Sequence, residues 1–283
     1  MHWSTALGAL AGAAVVVALG AGPAAGAASP PYYLAVGASE SLGVQPSPAV
    51  PHGQPTDEGY ANDLAAMEQS RWPGLRLVQV GCPGITALQA ADGGGRCRYP
   101  EGSQLSAAVD FLDSHPGATV LTTVDLGFND LRSCLGDMTV DEGCVTAALA
   151  EIQATLPRIL GALRSAGGTA MRIVGLEHAD PYLGDAGDGP AGRSFAETSL
   201  GVFDRLNDVL HDAYADAGDL TADVPAAFGV SGHDAADIDA EAARTCSLTW
   251  MCGPFGHNVH PDAEGYRLIA GAVSAALAGA GAS

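Results

Sequence analysis

The chain has 283 residues, with 12 basic and 32 acidic side chains and a formal charge of −20; every basic residue is Arg. A body this acidic repels phosphate backbones and anionic bilayers at long range, which argues against nucleic-acid binding and polybasic membrane attachment. With 47% apolar residues it is not a disordered acidic tail, and its length suits one large domain.

Residues 1–27 hold no Lys, Arg, Asp or Glu, pass through Val15, Val16 and Val17 to Leu19, and close on Ala25, Gly26 and Ala27. A short apolar stretch ending in small residues reads as a secretory signal peptide, and Gly20, Gly22 and Pro23 cut the run below the roughly 20 residues of a membrane span. The expected mature chain is therefore 28–283, a single exported, extracellular domain with no transmembrane segment. Strands are predicted at 32–36, 75–80, 119–124, 171–176 and 220–224, each a short apolar run bounded by turn formers. Helices are predicted over 57–71, 103–114, 144–166, 194–217 and 261–278, and the Gly-, Asp- and Pro-rich segment 180–192 reads as a surface loop. Strands alternating with helices imply parallel pairing through crossovers, hence a three-layer α/β/α sandwich with a mainly parallel sheet.

Six cysteines, Cys82, Cys97, Cys134, Cys144, Cys246 and Cys252, lie in the exported part. An even count fits an oxidising compartment; of the 15 pairings that six allow, the three between close neighbours are expected, Cys82–Cys97, Cys134–Cys144 and Cys246–Cys252. No Cys-x2-Cys couple is present, and His257 and His260 stand three apart on a loop, so neither set reads as a metal site.

Ligands of open parallel sheets bind beyond the carboxyl ends of the strands. There the chain has Gly37-Ala38-Ser39-Glu40-Ser41 after the first strand, Gly81-Cys82-Pro83-Gly84 after the second and Gly127-Phe128-Asn129-Asp130 after the third. Ahead of the last helix comes His257-Asn258-Val259-His260-Pro261. A serine on a tight turn offers a nucleophile, a histidine fixed before a helix a general base, and Gly84 N–H with the Asn129 amide two oxyanion donors. Ser41 is a rival nucleophile. Glu40 and Asp130 flank the site, Asp180 reads as a loop cap, and His52, His115, His178, His211 and His233 read as solvated surface.

In this order and at these places, the four segments resemble the SGNH (GDSL-like) hydrolase family, in particular its secreted three-disulfide esterases and lipases from actinobacteria. No Gly-x-Ser-x-Gly elbow is present, which disfavours the α/β-hydrolase assignment. The resemblance, over residues 32–278, implies a flavodoxin-like fold and a serine ester hydrolase. It implies catalysis by Ser39 and His260, with an oxyanion hole of Ser39, Gly84 and Asn129. It further implies a monomer without cofactor or metal, acting on a small-molecule or lipid ester. Carbohydrate O-deacetylation and an inactive binding protein of the same fold are the alternatives. Two departures stand out: Ala38 replaces the aspartate before the nucleophile, and His257 replaces the acid three residues before the base. His257 is thus a candidate third member, and a main-chain carbonyl from residues 247–251 is the expected partner of the His260 imidazole, as in some members of the family.

Overall fold

A strand that is apolar on both faces needs cover on both sides, and the three central strands of the sheet here are covered by helices above and below. The structure, a computed structural model, describes residues 30–230 and 237–280. The signal-peptide reading of residues 1–27 and His233 lie outside the described residues. In chain order the first half holds β1 Tyr32–Gly37, β2 Gln45–Ser47, β3 Val50–Gln54, α1 Tyr60–Met67, β4 Arg76–Gln79, α2 Ala87–Asp92, α3 Gln104–Ser114, β5 Thr119–Asp125 and α4 Phe128–Arg132. There follow β6 Leu135–Gly136, β7 Thr139–Val140, α5 Glu142–Gly167, β8 Arg172–Leu176, α6 Gly189–Ala217, β9 Leu220–Ala222, α7 Val224–Phe228, α8 Ile238–Leu248 and α9 Ala263–Gly279.

The five predicted strands form one parallel sheet in the order β4-β1-β5-β8-β9. Counting sheet strands alone this is 2-1-3-4-5, the flavodoxin-like order, in which the strand sequence reverses beside β1. Alternate β1 residues serve opposite layers. Leu34 and Val36 pack with Leu112 of α3, Ile152 and Leu156 of α5 and Leu206 of α6. Tyr33 and Ala35 face Leu64 of α1 with Ile269 and Val273 of α9. Three layers follow, as the alternation of elements implies. The three expected disulfides are present, with Cα–Cα separations of 6.0, 5.4 and 5.1 Å. No helix among the described residues is long and apolar enough to cross a membrane.

One expectation fails. Segment 180–192 is not a surface loop: Pro181–Gly187 is a 3-10 helix with Leu183 and Asp185 buried, and α6 begins at Gly189, ahead of the predicted 194. Tyr182 and Leu183 supply apolar anchors that join it to both cores. Asp180 accepts from Tyr182 N at 2.8 Å and from Ser199 Oγ at 2.6 Å, capping the turn.

Candidate active site

Because β1 lies between β4 and β5, the chain leaving these three strands meets at one crevice, and Ser39, Gly84 and Asn129 all line it. The cleft is about 750 Å³ and is also lined by His257, Asn258 and His260. Its far wall is the β2–β3 hairpin, through His52, Gly53 and Gln54.

Ser39 caps a 3-10 turn, Glu40–Leu42, without using its side chain as the cap, so its hydroxyl is not committed to the backbone. The turn closes at Gly43, whose φ of 57° is left-handed and whose Cβ position lies 2.2 Å from Gly59 N. A side chain at Gly43 would drive the turn off α1. Ser41, the rival, is fully buried and donates Oγ–H to Ala38 O at 2.8 Å. Geometry therefore separates the two serines, one spent on the turn and one lining the cleft.

With Ala38 in the place of the family carboxylate, Asp125 at the end of β5 shapes the nucleophile turn from across the sheet. Its Oδ2 accepts Ser41 N–H at 3.1 Å, and its main-chain oxygen accepts Ala38 N–H at 3.0 Å. Burial pushes the Asp125 carboxyl up and a nearby His178 lowers it. His178 is not surface, as expected above, but 3% exposed, with Nε2 3.2 Å from Leu126 O and Nδ1 3.9 Å from Glu40 Oε2. Burial, then the Asp125 charge, hold the Glu40 carboxyl well above its ordinary value. No motif singles out Asp125 or His178; one ends an apolar strand and the other follows one, and their roles are visible only once the strands are paired.

The side of the cleft that carries Gly84 and Asn129 is built the same way. Gly84 has φ 78°, a left-handed conformation that favours glycine, in the loop closed by Cys82–Cys97. Asp130 accepts Ala87 N–H on both oxygens, at 3.1 and 3.0 Å, which ties the start of α2 to α4 and so sets Gly84 relative to Asn129. Burial raises the Asp130 carboxyl to about 7. Among the described residues neither the Gly84 N–H nor the Asn129 side chain has a hydrogen-bond partner in the fold.

His260 is 7% exposed, just before α9. Its Nδ1 lies 2.7 Å from Asn258 Oδ1, and Asn258 Nδ2 donates to Pro51 O at 2.9 Å, which fixes the amide with its oxygen toward the ring. The carbonyl expected from 247–251 is therefore not at Nδ1. That loop pairs instead with the main chain of His260, Trp250 N–H donating to His260 O at 2.9 Å. His257 is not at Nδ1 either. It takes a left-handed φ of 43° and turns its own Nδ1 to Asp185 Oδ1 at 2.7 Å, a carboxylate being a stronger imidazole partner than a second imidazole. An Asn two residues before the base was the missed signal, and the hairpin that orients it was missed with it. Burial, then the Arg132 cation, lower the His260 imidazole to about 4.

Three solved structures share this fold. The fold is similar to an extracellular lipase from Streptomyces rimosus, at TM-score 0.58 and 20% identity over 87% of this chain and 99% of that one. It is similar to a phospholipase A1 from Streptomyces albidoflavus, at 0.53 and 19% over 87% and 100%. A carbohydrate acetylesterase from Sinorhizobium meliloti gives 0.51 and 15% over 88% and 99%. No curated protein matches the sequence. The model of the GDSL-like Lipase/Acylhydrolase family matches residues 35–268, most of the chain. The protein belongs to that family of ester hydrolases.

Proposed function

We propose that this is a secreted carboxylic ester hydrolase that works through an acyl-enzyme on Ser39, with His260 as base and Ser39 N–H, Gly84 N–H and the Asn129 amide as oxyanion donors. The observation that carries the reading is the Asn258–His260 pair. An amide oxygen accepts only, so the imidazole proton sits on Nδ1 and Nε2 is left as a base in the cleft that Ser39 lines. Ser39 Oγ attacks the ester carbonyl while its proton passes to Nε2. The tetrahedral oxyanion then collapses, the carbon–alkoxy bond breaks, and the alkoxide takes the proton from Nε2. Water repeats the sequence and frees Ser39 and the acid. Three disulfides support export, since such bonds persist in oxidising compartments.

Val44, Pro55 and Pro83 are the apolar residues lining the cleft. A longer acyl chain gains about 0.8 kcal/mol per CH₂ only where an apolar wall receives it, so these walls favour a short acyl group on a polar alcohol. With Ser39→Ala as blank, kcat/KM on 4-nitrophenyl esters is expected to peak at two to four carbons and to be at least ~10-fold lower at twelve. A rate rising to twelve carbons would make the protein a long-chain lipase. The same polar walls favour a second reading, deacetylation of sugars, which acetate release from acetylated xylose would identify.

A neutral Asn258 orients His260 without a full charge to stabilise the imidazolium. Losing one such hydrogen bond is worth about 1–3 kcal/mol, so Asn258→Ala is expected to lower kcat about 10- to 100-fold. His257→Ala is expected to keep at least a tenth of wild-type activity. His257→Asp should be worse than Ala, because the new carboxylate would meet Asp185 and Asp188, which now flank His257 at 2.7 and 3.6 Å. A His257→Ala variant as inactive as Ser39→Ala would make His257 essential.

The pH profile follows from His260. Burial disfavours the protonated ring, so the base form persists as pH falls, and kcat/KM should hold from pH 7 to 5 and drop only toward about 4. An acid limb centred near the ordinary histidine value of about 6.5 would contradict this environment.

A further inference from the structure

No Asp or Glu lines the open cleft, in a chain with 32 acidic and 12 basic residues; Glu40 and Asp125 line the small recess behind Ser39 and His260. Arg96 and Arg132 are the two arginines that line the cleft. Six of the other ten arginines are neutralised locally, among them Arg158 by Asp92, Arg164 by Asp219 and Arg205 by Glu142. Among the described residues neither Arg96 nor Arg132 has a carboxylate partner.

Their placement is specific to the reacting end of the cleft. A Cβ built on Gly84 would stand 3.9 Å from Arg96 Cζ, Nε and Nη2, so this guanidinium lies against one proposed oxyanion donor. Arg132 follows Asn129 by three residues in α4, hence on the same helix face, and its charge is felt at His260. The body, at −20, repels anions at a distance, but that field is screened within about 8 Å at physiological salt. Among the residues that line the cleft, the two guanidiniums carry the permanent charges. One guanidinium fork satisfies a carboxylate, whereas a phosphate has oxygens for two.

We propose that the substrate is a short-acyl ester carrying a phosphate monoester group, which Arg96 and Arg132 hold while the ester carbonyl faces Ser39. The inference rests on the ester-hydrolase reading for the group at Ser39, and on the unpaired arginines for the anion. The polar walls make a water-soluble phosphate ester, rather than a membrane lipid, its source.

The test compares glycerol monobutyrate with 1-butyrylglycerol 3-phosphate, which differ only in the phosphate. Wild-type kcat/KM is expected to favour the phosphate ester at least ~10-fold at low salt, and Arg96→Gln/Arg132→Gln to reduce that preference at least ~10-fold, through KM. The ratio matters because removing Arg132 also changes His260, which affects both esters alike. Equal losses on both would make the arginines part of the oxyanion field and overturn the proposal, as would a preference for the butyrate ester of glyceric acid or for phosphatidylglycerol vesicles. Calorimetric titration of Ser39→Ala with glycerol 3-phosphate gives a readout independent of turnover. Binding that weakens at least ~10-fold in the Ser39→Ala/Arg96→Gln/Arg132→Gln variant supports the anion site, and no binding by Ser39→Ala overturns it. Arginine-dependent binding with no hydrolysis of any ester would refute the hydrolase reading while leaving the anion site standing. Arg96 and Arg132 are exposed, so these substitutions leave the core unchanged.

Discussion

Ser39→Ala and His260→Ala are each expected to lower kcat at least ~10³-fold, and the double variant to be little worse than either. In the proposed mechanism nucleophile and base act on one proton in one step, so removing either removes the covalent route, and the second loss has little left to remove. What survives is the contribution of substrate positioning and oxyanion donors. Both side chains are under a tenth exposed, so thermal melts of each variant should accompany the kinetics. Ser39 lies two residues beyond β1 and outside the core clusters, and its hydroxyl caps nothing, so Ser39→Ala should melt close to wild type. Multiplicative losses in the double variant would mean two residues acting separately.

Asn129→Ala is expected to cost ~10²–10³ in kcat with KM little changed. In the proposed mechanism the amide donates to charge that develops only in the tetrahedral state, so its removal should raise the barrier without loosening the substrate. The effect should fall at the upper end here. His260 has a neutral amide as its partner, so the imidazolium formed alongside the oxyanion is stabilised less than beside a carboxylate, and more of the charge separation falls to the oxyanion donors. The side chain of Asn129 holds nothing else in place among the described residues, which keeps its substitution clean. An effect confined to KM would make Asn129 a substrate-binding residue.

What the sequence made legible follows the strength of local signals. Apolar runs such as 32–36 and 119–124 are strands because both faces are buried, and the parallel order follows from the helices between them. The turn glycines and the His-Pro before α9 mark the crevice because they sit where strands end and a helix begins. The β2–β3 hairpin was not legible: Pro46, Pro48 and Pro51 read as turn formers, and a two-stranded hairpin tolerates them because its edges are open. With the hairpin went Pro51 O, hence the reason Asn258 presents its oxygen to His260. Segment 180–192 misled through composition, since its acidic and glycine residues outnumber the two side chains, Tyr182 and Leu183, that bury it. Asp125 and His178 depend on pairing of distant strands, which no local pattern encodes.

The central claim is that Ser39 is the covalent nucleophile. Intact-mass and peptide mapping after treatment with a fluorophosphonate test it most directly, because the reagent reacts with an activated serine whatever the natural ester. The expected result is one adduct per chain, carried by Ser39 and absent from both Ser39→Ala and the His260→Ala protein. An adduct on Ser41, or an unmodified wild-type chain, would contradict it, the second outcome leaving a protein that keeps the fold without the chemistry.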